Sequence, residues 1–319
     1  MHNIVLWEPD IFHKTLNVFI ESNDPSPIMV ARELYGMNCS TIKQSCGFEA
    51  NSKNYHIGDI ILKRLIGNYD VLLKQLIIYQ SLNSYGIYTP NIICNMSGQI
   101  ISTYNSEYWV AMEYIDGNFY SGSMNEIELV VDIMKQLFCA LHHQEIFGLP
   151  HRPKINSEYI NNKDLSLFGE TIHTILKESM YDITLISRNV CKAMELFDQS
   201  LSVVHIDLHP RNILYKKGKL YILDFDSIQV QSREIAYNFA VYKLLRRCVS
   251  DGIDFRPFIN KIFHGMDIPK NSLAAQAEII FRLTSILHSS SPGNISIWKQ
   301  LIPVHLRGLY ESEYILGDL

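Results

Sequence analysis

At 319 residues, 47% hydrophobic and 19% charged, the chain is long enough for a sizeable core and two lobes. A formal net charge of −5 argues against a nucleic-acid binder, which needs a basic stripe, and no uncharged apolar run reaches membrane-spanning length. Cys39, Cys46, Cys94, Cys139, Cys191 and Cys248 form no Cys-x-x-Cys pair, and residues 1–10 lack the pattern of a secretory signal, so reduced thiols and a cytoplasmic location are expected.

Residues 1–40 are predicted to be a helical preface, with Ile11, Phe12, Leu16, Phe19 and Ile20 at rough helical spacing and Asp24-Pro25-Ser26-Pro27 as a break. From Ser40 to Leu65 the period changes. Ile42-Lys43-Gln44, Tyr55-His56-Ile57 and Ile60-Ile61-Leu62-Lys63 read as two or three antiparallel strands with turns at Gly47 and Gly58-Asp59. Asp70 is the predicted N-cap of a helix over Val71 to Ser84 that buries Leu72, Leu73, Leu76 and Ile77 and ends at Gly86. Ile92-Ile93-Cys94 and Gln99-Ile100-Ile101 are expected to pair around Ser97-Gly98. Tyr108 to Met112 reads as a buried strand running into Glu113-Tyr114-Ile115-Asp116-Gly117.

From there the chain turns helical. Ser123 and Glu126 have capping-box spacing, and the helix to about His143 buries Ile127, Val130, Val131, Met134, Leu137, Phe138 and Leu141. His142 and His143 read as partners of the helix dipole rather than metal ligands. A polar link over 144–163 precedes helices predicted over 164–180 and 182–200. After Asp226 a helix carries Ile235, Ala236, Phe239, Tyr242 and Leu245, with Lys243, Arg246 and Arg247 on a face read as solvated. Two or three more helices close the chain.

The chemistry is concentrated in Val203-Val204-His205-Ile206-Asp207-Leu208-His209-Pro210-Arg211-Asn212-Ile213-Leu214 and Leu220-Tyr221-Ile222-Leu223-Asp224-Phe225-Asp226. Ile213 to Tyr215 and Leu220 to Leu223 are strand-like, and the Gly218 link between them is a hairpin signal. Folding that hairpin brings Asn212 and Asp224 to one end. Asp, Asn and Asp are what phosphoryl transfer from a metal-bound nucleotide needs. One carboxylate orients the attacking hydroxyl and takes its proton, while an amide oxygen and a second carboxylate hold Mg²⁺.

His205-x-Asp207-x-x-x-x-Asn212 together with Asp224-Phe225-Asp226 resembles the catalytic and metal motifs of the aminoglycoside phosphotransferase and choline kinase-like superfamily, small-molecule relatives of the protein kinases. His209-Pro210 inside the loop is more typical of that superfamily than of protein kinases. The resemblance covers about residues 40–250. It implies a two-lobed, protein-kinase-like α+β fold, with a small antiparallel-sheet lobe over 1–115 and a larger, mainly helical lobe over 116–319. It implies Asp207 as base and aligner, His209 as a γ-phosphate contact, Asn212 and Asp224 as Mg²⁺ ligands, and His205 as a brace of the loop. Asp226 is left between a second metal and a structural role. Gly47 and Asn51 resemble part of the nucleotide loop, Lys63 the phosphate-gripping lysine, and Glu113 and Ile115 the hinge whose backbone groups bind adenine. The cofactors implied are ATP and Mg²⁺. The implied partner is a small-molecule hydroxyl acceptor (an aminoglycoside, amino sugar, choline-like alcohol, homoserine or sugar), with neither nucleic acid nor membrane. Glu234-Ile235-Ala236 resembles the family's Asp-Leu-Ala, with Glu replacing Asp, and no Ala-Pro-Glu motif follows to dock a polypeptide.

One departure stands out. Kinases place an acid on the helix after the lysine strand, yet none occurs from Val71 to Gly86, and Gln75 occupies the neighbourhood. Either Lys63 is solvated until nucleotide arrives, or an acid elsewhere pairs with it. The gap motivates an alternative reading as a nucleotide-binding regulatory pseudokinase with little transfer activity. A third reading makes His205, Asp207 and His209 a metal-hydrolase cluster.

Overall fold

The structure, a computed structural model, describes residues 19–22, 24–45, 54–152, 170–289 and 295–317. Its first layer is a seven-stranded antiparallel sheet. The strands are β1 (Phe19–Glu21), β2 (Lys43–Ser45), β3 (Asn54–Ile57), β4 (Ile60–Leu65), β5 (Ile92–Ile93), β6 (Ser102–Tyr104) and β7 (Glu107–Glu113). Their order is β1-β2-β3-β4-β7-β5, with β6 also on β7. Strand alternation divides β4 between two environments. Ile60 and Leu62 pack with Val30, Ala31, Tyr55 and Trp109 beneath α1 (Ser26–Tyr35). Leu65 turns the other way, to Leu72, Leu76 and Val110 in the core that continues into the helical lobe. Lys63 belongs to this second face, so the period that makes β4 a strand also aims its lysine at the cleft.

Several local expectations are corrected here. Phe19–Glu21 is a strand paired with Lys43–Ser45, not part of a helical preface; residues 1–18 lie outside the described set. Pro25 and Pro27 begin α1 instead of breaking a helix, because a first-turn residue has no intrahelical N–H bond to lose. The cap of α2 (Tyr69–Ser81) is Asn68, whose Oδ1 accepts from the amides of Asp70 at 2.9 Å and Val71 at 3.3 Å. Gln75 is buried in α2, whereas Ile77 is 54% exposed, one position off the predicted face. Ile92–Ile93 pairs with Ala111 and Met112. The local hairpin is instead β6–β7, turning at Asn105-Ser106, both with positive φ.

The second lobe contains α3 (Met124–His142), α4 (Glu170–Phe197), α5 (Arg233–Ser250), α6 (Arg256–Phe263), α7 (Ser272–Ser289) and α8 (Ile295–Leu316). The predicted core face of α3 is buried throughout. Its capping box is replaced, since Ser123 makes no side-chain cap and Glu126 accepts from Ser121 N and Oγ at 2.7 Å each. The two helices expected up to residue 200 are one continuous α4, which contains neither Gly nor Pro to interrupt it. Arg246 does not lie on a solvated face. It is buried against Glu311, with Nε 2.5 Å from Oε2.

Short strands carry the loops. β8 (Asn118–Phe119), β10 (Ile213–Lys216) and β11 (Lys219–Ile222) form one sheet, and β9 (Leu201–His205) pairs with β12 (Ile228–Ser232). The β10–β11 hairpin turns through Lys217 at φ 49° and Gly218 at φ 78°, the conformation that suits a two-residue hairpin. β12 was not predicted, although Ile228-Gln229-Val230-Gln231 alternates. The lobes form the expected two-lobed α+β fold. Among the described residues no helix is long and apolar enough to cross a membrane, and Cys39, Cys94, Cys139, Cys191 and Cys248 are free thiols.

Between the lobes, a Cβ on Gly117 would lie 2.8 Å from the Tyr215 carbonyl oxygen, closer than that backbone atom allows. Gly117→Ala is therefore expected to lose about 1–3 kcal/mol in urea unfolding, the usual cost of forcing atoms into a packed site.

Candidate active site

The cleft is organised around one cation. Lys63 is 9% exposed; its Nζ lies 2.9 Å from Asp224 Oδ1, 2.7 Å from Asp226 Oδ1 and 5.0 Å from the centre of the Phe225 ring. Burial works against the ammonium charge, but the two carboxylates outweigh it and raise the lysine pKa. Burial also opposes the charge on Asp224. Lys63 and hydrogen bonds from Asp226 and Ser227 overcome it, so that carboxyl lies below the usual range. At Asp226 burial prevails over Lys63 and, with Asp224 alongside, pushes the carboxyl up to about 7.

Backbone geometry produces this arrangement. Asp224 adopts φ 71°, ψ 64°, a left-handed conformation that Asp tolerates better than most side chains. A tight turn over Phe225–Ser227 follows, with the Ser227 amide donating to the Asp224 carbonyl at 3.1 Å. Gln75 Nε2 donates to the carbonyls of Ile228 at 2.7 Å and Asp226 at 3.2 Å. A carboxylate at that position on α2 would have no hydrogen to give them. The missing helix acid is thus answered by the second of the two alternatives: Lys63 pairs with acids elsewhere, Asp224 and Asp226.

The catalytic loop leaves β9 at His205. The His205 Nε2 lies 2.9 Å from the Leu223 carbonyl, which assigns its proton to Nε2. Burial holds the imidazole pKa below its ordinary value. His205 therefore braces the loop against the strand leading to Asp224. His209 Nδ1 accepts from the Arg211 amide at 3.1 Å, which places the neutral ring's proton on Nε2, 3.4 Å from Asp207 Oδ2. Asn212 Nδ2 donates to the Asp207 carbonyl at 2.8 Å, and the Leu223 amide donates to the Asn212 carbonyl at 2.8 Å. With Ile213 opposite Ile222, the hairpin sets Asn212 and Asp224 at one end, as the sequence predicts.

These residues fit Mg²⁺. Asn212 donates through its amide nitrogen to the loop and keeps Oδ1 as an acceptor, and Asp224 offers carboxylate oxygens, both hard donors. Among the described residues no three His, Cys, Asp or Glu side chains group as a metal cluster, and His205 is turned to a carbonyl, so the hydrolase reading finds no support. At the hinge, the Glu113 amide donates to the Asn91 carbonyl and that of Tyr114 to the Asp59 carbonyl, both at 2.8 Å, and Ile115 is buried. Gly47 and Asn51 lie outside the described residues.

Sequence reasoning missed Arg282 on α7. Its Nη1 lies 2.9 Å from Asp207 Oδ1, and its Nε donates at 2.7 Å to Glu278, one turn earlier. Glu and Arg four apart read as an ordinary helix pair, and nothing local ties them to a loop seventy-odd residues upstream.

Residues 52–233 match the family model described as the phosphotransferase enzyme family. The chain belongs to this family. Among solved structures, amicoumacin kinase hAmiN, in complex with AMP-PNP, Ca²⁺ and Ami, is similar at 11% identity with TM-score 0.63, covering 92% of this chain and 94% of that one. Spectinomycin phosphotransferase APH(9)-Ia, in complex with ADP and spectinomycin, gives 12% identity and TM-score 0.64, covering 90% and 97%. A microcompartment-associated aminopropanol kinase gives 12% and 0.56, covering 88% and 91%. At these identities the likeness is one of fold. No curated protein matches the chain. The fold likeness thus extends through the helices beyond residue 250, where the sequence resemblance ends.

Two stability predictions follow from the site. Lys63→Met leaves two carboxylates together without their cation and is expected to lose about 2–3 kcal/mol in urea unfolding at pH 7, less than for a fully buried pair because both acids are partly open to solvent. His205 has a depressed folded pKa, so its share of stability is present above about pH 6.5 and is lost as pH falls through the folded value. His205→Gln should therefore flatten the decline in melting temperature below about pH 6.5; an unchanged slope would remove His205 as its source.

Proposed function

We propose that this phosphotransferase moves the γ-phosphate of ATP to a hydroxyl group of a small molecule. The observation that carries this reading is the Lys63–Asp224 ion pair, with Asn212 at the same end of the β10–β11 hairpin and bonded to the Asp207 carbonyl. ATP supplies the phosphoryl group, and Mg²⁺ supplies positive charge against its phosphates.

In this reading Asn212 and Asp224 hold the metal, and Lys63 exchanges part of its carboxylate pairing for phosphate oxygens. Glu113 and Ile115 offer backbone groups to the adenine. The Glu113 amide is already used in the sheet, which leaves its carbonyl, with the Ile115 amide beside it. Gly47 and Asn51 belong to the loop over the phosphates. Asp207 receives the hydroxyl and His209 steadies the carboxylate or the transferring group. The lobes divide at about residues 115 and 116, and the free thiols suit the cytoplasm. Amino alcohols and aminoglycosides head the acceptor panel, because the similar structures include a spectinomycin phosphotransferase and an aminopropanol kinase. The regulatory reading loses its motive, since Lys63 has carboxylate partners.

The first test is thermal melting with and without Mg·ATP. Nucleotide at a hundred times its dissociation constant should stabilise the wild type by about 2.7 kcal/mol, and Asp224→Ala much less. No shift at millimolar ATP would sink the proposal. On the acceptor found in the panel, Asp207→Ala should turn over about 10²- to 10⁴-fold more slowly. An Asp207→Ala protein as fast as wild type would overturn that assignment.

A further inference from the structure

We propose that Arg282 is a positioning residue for phosphoryl transfer: its guanidinium fixes the Asp207 carboxylate through Oδ1, so that Oδ2 is the oxygen presented to the acceptor hydroxyl. The inference rests on the kinase reading above. It concerns a residue outside the segment that matches the family model.

The guanidinium is held on every side. Nη1 lies 2.9 Å from Asp207 Oδ1, Nη2 donates to the Ile206 carbonyl at 2.9 Å, and Nε donates to Glu278 Oε1 at 2.7 Å. Its face lies over the Phe239 ring of α5, 4.7 Å from the centre. Hydrogen bonds at Nη2 and Nε fix the plane of the guanidinium, and the ion pair at Nη1 draws the buried Oδ1 toward it, which limits how the carboxylate can turn. Lysine, a point charge on a flexible stem, cannot reproduce this.

The support behind Arg282 is equally specific. Glu278 is 1% exposed and is shared by Arg282, Arg152 and Gln231. Gln231 belongs to β12, which pairs with the strand that feeds the catalytic loop. The Arg152 guanidinium stacks on Phe281, 3.8 Å from the ring centre. A helix pair needed only for α7 would stay at the surface at little cost. Taking Glu278 and both arginines out of water is expensive unless the geometry is needed.

The charged and titratable groups around Asp207 are His205 and His209 of its own loop, Arg282 and Glu278 of α7, Arg152, His305 of α8 and, beside His305, Lys243 of α5. Burial opposes the Asp207 charge, and Arg282 leads the groups that reverse this and hold the carboxyl well below its usual range. The carboxylate's contribution is to hold the hydroxyl in line, which is what a loose phosphoryl-transfer transition state asks of it.

The experiment measures phosphate release from Mg·ATP with water as acceptor for wild type, Arg282→Gln and Arg282→Lys. In Arg282→Gln, kcat should fall about ten- to a hundredfold, as for a misplaced catalytic group, with KM for ATP unchanged. Arg282→Lys should recover part of kcat. Wild-type kcat in Arg282→Gln, or a loss confined to KM for ATP, overturns the proposal. If Arg282→Gln does not fold, Arg282→Lys decides, because wild-type kcat without the fork also overturns it. A wild type that is stabilised by Mg·ATP yet releases no phosphate and transfers none to the acceptor panel overturns the kinase reading itself, and this inference with it.

Discussion

The Lys63 ammonium between Asp224 and Asp226 is the constraint on which the cleft depends. It joins the central strand of one lobe to the acid-bearing turn of the other, at 2.9 and 2.7 Å. A buried lysine without carboxylates, or two facing carboxylates without a cation, would each be unfavourable. Neither lobe contains both halves, so the interaction that solvates the site also fixes the lobes' register. α2 reinforces the junction through neutral groups. Gln75 reaches the Ile228 and Asp226 carbonyls, and the Tyr79 hydroxyl donates to the Ile222 carbonyl at 2.7 Å. This explains how the protein manages without an acid on that helix.

The second organising device is the support of the catalytic loop from behind. Its backbone is tied forward by Asn212 to the Asp207 carbonyl and by His205 to Leu223. The Asp207 carboxylate is tied backward, to α7 through Arg282. The large lobe therefore does more than wall a pocket. Its late helices reach the Asp207 carboxylate through Arg282, and Glu278 links that arginine to β12 and Arg152.

Local chemistry made much of this legible in advance. The meeting of Asn212 and Asp224 was legible because Gly218 marks a hairpin that must bring them together. Lys63 was identifiable from its apolar strand. The core face of α3 followed from helical periodicity alone. Failures came where two local signals compete: Pro25 and Pro27 suit a helix start as well as a break, and Asn68 and Asp70 are both capable caps. β12 was missed because its alternation is short and lies beside a stronger helical pattern.

The sequence by itself determined the family, the strand–helix order of the central region and the hairpin that sets Asn212 and Asp224 at one end, because spacing along the chain encodes what shares a strand, a turn or a helix face. Only the tertiary structure decided which acids neutralise Lys63, that Gln75 serves backbone carbonyls, and that Arg282 grips Asp207. Those pairings join residues 151 positions apart in one case and 163 in another. No local periodicity encodes them; they exist because the burial of shared apolar surface brings the two lobes and the late helices together, and buried charges then have to find partners within reach.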